Sequence, residues 1–220
     1  MSDVMIELQA VSHFYGSSLV FKNVSLRLGA GVHLLAGANG AGKTTLLSIM
    51  AGLAKPSSGN VTRKQGCKLA LLAHTTFLYP ELTALENLNF WAGMHQIAAK
   101  NTTCMEVLDK VGLAPYSDTK SGTFSRGMAQ RLSLARTLLQ APDILFLDEP
   151  GTGLDTASIK ILRREITEAG KNGTTVIWIS HSLKDDLPLA DTLLLLQGKS
   201  LAYDGPACGY MLEDTVGGQQ

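Results

Sequence analysis

Residues Gly37-Ala38-Asn39-Gly40-Ala41-Gly42-Lys43-Thr44 spell G-x-x-x-x-G-K-S/T between an apolar strand pattern, Val32-His33-Leu34-Leu35-Ala36, and a helix pattern in which Leu46, Leu47 and Met50 recur at helical spacing. A strand, a glycine-rich turn and a helix in that order commit the chain to an α/β core with an anion cradle at a strand end. The glycines let backbone N–H groups turn inward where a side chain would collide with a phosphate, and the helix N-terminus adds its dipole. Lys43 can then reach the β- and γ-phosphates of a nucleotide, and the Thr44 hydroxyl can bind the Mg²⁺ they chelate. Thr45, next in the first helical turn, completes the expected nucleotide-binding set with Gly37, Ala38, Asn39, Gly40, Ala41 and Gly42.

At 220 residues and 45% hydrophobic composition the chain can bury one large core. Nineteen basic and 19 acidic residues give zero formal net charge, which disfavours broad attraction to nucleic acid or to an anionic bilayer. Any membrane role must come through a protein partner. The three cysteines, Cys67, Cys104 and Cys208, lack metal-ligand spacing and read as reduced thiols. The longest strongly apolar run, 193–196, is too short to span a bilayer, and no signal-peptide pattern opens the chain. A cytoplasmic location follows as the expectation.

Alternation in Val4-Met5-Ile6-Glu7-Leu8 and Val24-Ser25-Leu26-Arg27-Leu28 predicts two strands joined around Phe14-Tyr15-Gly16, forming an antiparallel edge layer. Gly52 ends the loop helix, and Pro56-Ser57-Ser58-Gly59 turns into short strands near Val61 and over 69–72. Apolar stripes through Leu85, Leu88, Trp91, Val107, Leu108 and Val111 predict helices from 83 to about 116, followed by a long helix from about 127 to 140. The run Ile144-Leu145-Phe146-Leu147 predicts a strand buried on both faces. A helix over 157–169, a strand over 174–179 and a terminal strand pair turning at Gln197-Gly198 complete the pattern; residues 217–220 read as a disordered tail. One domain over 1–220 is expected, with an α/β core from about 1–75 and 140–220 and a helical subdomain from about 76–139.

Asp148-Glu149-Pro150 stands at the carboxyl end of the buried strand, where ligands of α/β sheets gather. Asp148 suits Mg²⁺ held through water, leaving Glu149 to polarise an attacking water. Gly151-Thr152-Gly153-Leu154-Asp155 ends in an N-cap aspartate, and Val176-Ile177-Trp178-Ile179 delivers Ser180-His181 to the same sheet edge, where His181 could donate to a γ-phosphate.

The order and spacing of the phosphate loop, Ser125-Arg126-Gly127-Met128 before Gln130-Arg131-Leu132, Asp148-Glu149-Pro150, Gly153-Leu154-Asp155 and Ser180-His181 resemble the ATP-binding-cassette (ABC) family over nearly the whole chain. The resemblance implies a P-loop ABC ATPase fold with an antiparallel β edge and a helical insertion, hydrolysing ATP with Mg²⁺. It further implies Tyr15 as the adenine-stacking aromatic, and a head-to-tail homodimer in which Ser125 and Gly127 of one chain face ATP held by the other. Integral membrane ABC subunits would be the partners, with the chain peripheral on the cytoplasmic side of a bacterial inner membrane. Phe77, Leu78, Tyr79, Leu82, Leu88 and Trp91 are candidates for the docking surface.

Two positions depart from the family pattern. Phe124-Ser125-Arg126-Gly127-Met128 replaces the usual Leu-Ser-Gly-Gly-Gln, keeping the serine and the second glycine. His74 aligns where the family places a glutamine that contacts Mg²⁺ and the attacking water; imidazole is a poor Mg²⁺ ligand, so His74 is expected to orient water or relay partner contact. His74 with Tyr79-Pro80-Glu81-Leu82-Thr83-Ala84-Leu85-Glu86-Asn87-Leu88 resembles the ATPase subunits of cytochrome c maturation, which implies haem delivery as the task driven. Other ABC exporters carry similar segments, so a different cargo is the alternative. A polymer-clamping ABC protein would want basic surfaces or tandem cassettes. A monomeric P-loop kinase or GTPase would leave Ser125-Arg126-Gly127 and His181 without roles, and a regulatory module that closes on ATP but scarcely hydrolyses it is to be separated from an enzyme by the turnover of wild type and Glu149→Gln.

Overall fold

In the computed structural model, residues 3–73, 76–97, 101–180 and 182–211 are described, with backbone alone at 101 and 102. The chain opens with β1 (Ile6–Tyr15), β2 (Ser18–Leu28), β3 (Gly31–Gly37), α1 (Lys43–Ala51), β4 (Ser58–Arg63) and β5 (Leu69–Leu72). A helical stretch follows, α2 (Ala84–Met94), α3 (Asn101–Lys110) and α4 (Arg126–Leu138). The chain then alternates through β6 (Ile144–Asp148), α5 (Thr156–Lys171), β7 (Thr175–Ile179), the short α6 (Leu183–Asp186), β8 (Thr192–Gln197) and β9 (Ser200–Pro206).

Six strands form one sheet in the order β5-β6-β7-β3-β8-β9, parallel except for the antiparallel β9 at its edge. Successive side chains of a strand point to opposite faces, and here both faces are covered. Val32, Leu34, Leu145, Leu147, Val176 and Trp178 enter the core shared with α2, α3, α4 and α5. Their alternates Leu35, Ile144, Phe146, Ile177 and Ile179 enter a second core with Leu46, Leu47 and Met50 of α1 and with Ile6, Leu8 and Phe21 of the antiparallel strands. Each such aliphatic or aromatic side chain contributes about 1.5–3 kcal/mol by leaving water.

The separate antiparallel sheet has the order β2-β1-β4. The two short strands expected after α1 therefore part company: β4 pairs with β1, with Leu8 opposite Val61, whereas β5 joins the parallel sheet beside β6, with Leu72 opposite Leu147. Local alternation reads a strand but not its partner, because pairing is settled by which face finds a core.

The register brings three strand ends level. Leu35 of β3 and Asp148 of β6 both lie opposite Ile179 of β7. The chain emerging from β3 becomes the phosphate loop, that from β6 becomes Glu149, and that from β7 becomes Ser180.

The helical insertion is tied down by polar groups as well as apolar ones. Thr83 caps α2 reciprocally with Glu86: Glu86 N–H donates to Thr83 Oγ1 at 3.2 Å and Thr83 N–H to Glu86 Oε2 at 2.8 Å. The fully buried Asn87 is a hub, its Oδ1 accepting from Tyr79 N–H at 2.8 Å while its NH₂ is shared among Tyr79 O, Leu82 O, Thr83 O and Ser121 Oγ at 2.9–3.2 Å. Replacing Asn87 with Ala removes the acceptor of the Tyr79 N–H and the amide that links four neighbouring oxygens, and should cost about 1–3 kcal/mol of stability. Urea unfolding should show a lowered midpoint, with Asn87→Leu no better than Asn87→Ala, since added apolar volume cannot accept the Tyr79 N–H.

Candidate functional site

The phosphate loop leaves β3 at Gly37 and enters α1 at Lys43, as the strand–glycine–helix pattern requires. Gly42, at the N-cap of α1, has φ 96°. A β-carbon there would be strained by the backbone and would lie 2.6 Å from Val20 Cγ1, so only glycine lets the loop press against β2. Lys43 is buried, and its ammonium donates to Gly37 O at 2.9 Å and Ala38 O at 3.1 Å, which holds a positive charge across the mouth of the loop. Ala41 N–H closes the turn onto Ala38 O at 3.1 Å.

Thr44 Oγ1 donates to Asp148 Oδ1 at 3.2 Å, joining the first turn of α1 to the last residue of β6 across two strand positions of the sheet. A hydroxyl and a carboxylate side by side at the phosphate loop are the oxygen donors a small divalent cation prefers, so the residues present fit Mg²⁺. Glu149 follows with φ 52°, a left-handed conformation that costs a non-glycine residue about 1–3 kcal/mol. Its N–H donates to Ile179 O at 3.1 Å, and its own carbonyl accepts from Thr152 N–H at 3.2 Å, so the turn is fixed from both sides.

Tyr15, Asn39, Gly40, Gly42, Lys43, Thr44, Thr45 and Glu149 line one cavity of about 300 Å³ together with Val20. Tyr15 is not packed core; it is 62% exposed, and its hydroxyl lies 3.4 Å from Thr45 Oγ1. His13 stands edge-on behind the Tyr15 ring at 4.8 Å. Sequence reasoning passed over Val20, which sits in an apolar run whose neighbour Phe21 takes the core face of β2; only the approach of Gly42 puts Val20 at the site.

Ser125, Gly127 and Asp155 lie apart from that lining and beside one another. Ser125 caps α4, accepting from Met128 N–H at 3.2 Å, and Asp155 caps α5, accepting from Ser158 N–H at 2.8 Å. A β-carbon on Gly127 would come within 2.7 Å of both Asp155 Oδ2 and Ser158 Oγ, so the glycine lets the two helix N-termini abut. The Ser158 N–H and then its hydroxyl hold the Asp155 carboxyl below the usual carboxylate range. His74 and His181 lie outside the described residues, as does the 217–220 tail.

Of the docking candidates, Leu88 is a correction: it is fully buried in the helical core, because α2 turns that face toward α3 and α4. Phe77 and Tyr79 are exposed, Leu78, Leu82 and Trp91 half-buried. Phe90 and Met94, which sequence reasoning left out, are exposed beside them, with Phe90 edge-on to both Tyr79 at 4.5 Å and Trp91 at 5.7 Å. No helix among the described residues is long and apolar enough to cross a membrane.

Residues 21–152 match the family model described as ABC transporter. The chain belongs to the ABC transporter family, as an ATP-binding subunit. It is 33% identical to the lantibiotic transport ATP-binding protein SrtF of Streptococcus pyogenes over 91% of this chain and 92% of that one. To the cytochrome c biogenesis ATP-binding export protein CcmA of Pseudomonas syringae it is 36% identical over 77% of this chain and 84% of that one. The dimeric structure of an ATP-binding cassette in a post-hydrolysis state, bound to ADP and Pi, shares the fold with a TM-score of 0.79 at 24% identity, covering 94% of this chain and 100% of that one. The fold is thus that of an ABC ATPase, and the chemistry is ATP hydrolysis. Relatives with different cargoes stand at comparable identity, so family membership reaches the engine and not its load.

Because the folded-state pKa of Asp155 is lowered, its cap stabilises the protein fully above the carboxylate's unfolded value and is lost as pH falls through the folded value. Wild type should lose more thermal stability than Asp155→Asn between about pH 5 and about pH 3, because asparagine caps at any pH. Melting temperatures of the two proteins across that range test it.

Proposed function

We propose that this ABC ATPase works as a head-to-tail homodimer beneath membrane subunits, each ATP bound by the phosphate loop of one chain and closed over by the Ser125 helix of the other. The observation that carries this reading is the division of the site. Tyr15, Lys43, Thr44 and Glu149 share one cavity, while Ser125, Gly127 and Asp155 stand together outside its lining. An α4 N-terminus that caps itself with Ser125 still points amides outward, and those suit a γ-phosphate brought by a second chain.

In that arrangement Tyr15 stacks on adenine, the loop amides and Lys43 hold the β- and γ-phosphates, and Thr44 with Asp148 would hold Mg²⁺. When bound, that ion offsets the negative charge on the phosphate oxygens. Glu149, fixed by its left-handed turn, orients water for in-line attack on the γ-phosphorus and draws its proton as the bond to ADP breaks. His181 and His74 are assigned from sequence order, the first as a donor to the γ-phosphate and the second as a water-orienting or partner-sensing group. The exposed Phe77, Tyr79, Phe90 and Met94 beside the half-buried Trp91 offer an apolar face for membrane subunits on the cytoplasmic side.

Glu149→Gln should lower ATP turnover by about 100-fold or more and leave ATP affinity nearly unchanged. Light scattering should then find the variant as a dimer in ATP and a monomer without it. A wild-type rate in the variant would remove Glu149 from the chemistry, and a persistent monomer would remove the shared site.

For the load, we propose haem delivery in cytochrome c biogenesis, supported by the likeness to CcmA and by the His74 to Leu88 segment. The likeness to SrtF, over nearly the full length of both chains, favours lantibiotic transport as the second reading. Deleting the gene should abolish haem-stained c-type cytochromes in the first case and leave them at wild-type levels in the second.

A further inference from the structure

The buried carboxylate of Asp186, at the end of α6, has no part in nucleotide binding as described above, yet it is held by two other elements. Arg163 Nε of α5 donates to Asp186 Oδ1 at 2.6 Å, and the Ser180 hydroxyl, one residue past β7, donates to Asp186 Oδ2. Ser180 Oγ in turn accepts from Ser182 N–H at 2.9 Å. The turn is closed by Asp186 N–H on Ser182 O at 3.0 Å and by Ser182 Oγ on Asp185 Oδ2 at 2.8 Å. The chain on both sides of position 181 is thereby anchored to one carboxylate. Burial pushes the Asp186 carboxyl up, against the opposing pull of Ser180 and Arg163, so the group depends on keeping these partners.

The anchor reaches the proposed base directly. Ile179, the residue before Ser180, accepts the N–H of Glu149 at 3.1 Å, the bond that holds the left-handed turn. Glu149, Ser180, Arg163 and Asp186 also border a single cavity of about 430 Å³, walled by Leu162 and Trp178. On that side the end of β7 borders the cavity, and Asp186 with its two partners forms part of the lining. Arg163 belongs to the helix capped by Asp155, so the same carboxylate joins the two halves of the divided site within one chain.

We propose that Asp186 is a positioning residue for ATP hydrolysis: with Arg163 and Ser180 it fixes the carboxyl end of β7 against α5 and so holds the backbone of Glu149 and both neighbours of His181. This rests on the reading of Glu149 given above. Displacing a reacting group by about 1 Å costs on the order of 100-fold in rate, whereas the phosphate loop, on β3, makes no bond to Asp186.

Removing one partner of a buried pair can unfold a protein, while replacing both by apolar groups is often neutral. The informative variants are therefore Ser180→Ala, the double replacement Arg163→Met with Asp186→Leu, and Ser180→Thr, which keeps the hydroxyl. Single-turnover cleavage of radiolabelled ATP at excess enzyme, affinity for a fluorescent ATP analogue, and urea midpoints are measured for each, with Glu149→Gln alongside. Ser180→Ala and the double variant should cleave about 10- to 100-fold more slowly, with affinity within about two-fold of wild type and the double variant's midpoint unmoved, while Ser180→Thr stays within about three-fold in rate. Wild-type cleavage by the folded double variant, with Glu149→Gln inactive, would overturn the role of Asp186 alone. Wild-type cleavage by Glu149→Gln would overturn the reading on which it rests.

Discussion

A parallel sheet buried on both faces leaves its strands no side on which to carry chemistry, and this confines every reactive group to the strand ends. In β3, β6 and β7 alternate residues fill two different cores, so a polar side chain in mid-strand would face hydrocarbon on either side. The register then decides which ends can cooperate. Leu35 and Asp148 both stand opposite Ile179, so the phosphate loop, the acidic pair and the Ser180 turn leave the sheet at one level. The Thr44 to Asp148 hydrogen bond and the Glu149 to Ile179 hydrogen bond are short-range consequences of that level, and they convert three separate loops into one surface.

The rest of the chain positions a second group of residues outside the lining of the phosphate-loop cavity. The N-termini of α4 and α5 abut because Gly127 has no side chain, and Asp155 caps one while touching the other. Two adjacent helix N-termini make a place that favours anions. Tyr15, Lys43, Thr44 and Glu149 line one cavity, and the Ser125 and Asp155 caps stand outside that lining. In the proposed homodimer this division would make hydrolysis depend on association.

Single positions mark where sequence reasoning succeeds and where it stops. The phosphate loop, the strand of Phe146, the Asp155 cap and the order of strands and helices along the chain were all legible, since each depends on periodicity or on backbone chemistry within a few residues. Leu88, a candidate for the docking surface, belongs to the core, because a helical stripe shows that a face is apolar without saying whether another helix covers it. The separation of β4 from β5 into different sheets was hidden for the same reason. Val20 and Asp186 gave no local signal at all: one matters through the approach of Gly42, the other through Arg163 and Ser180, which lie 23 and six residues away along the chain.

What the residues determined by themselves was the repertoire of reactive parts: a glycine-rich anion cradle with its lysine and threonine, two adjacent carboxylates at a strand end, an aspartate-capped helix and a tyrosine after the first strand. Spacing fixes these because backbone conformation and side-chain chemistry act locally. Only the folded arrangement decided that Tyr15, Lys43, Thr44 and Glu149 share a cavity, that Ser125 and Gly127 face elsewhere, and that a buried aspartate ties β7 to α5. Those outcomes depend on which apolar faces exclude water together, and that choice is made by the whole chain at once.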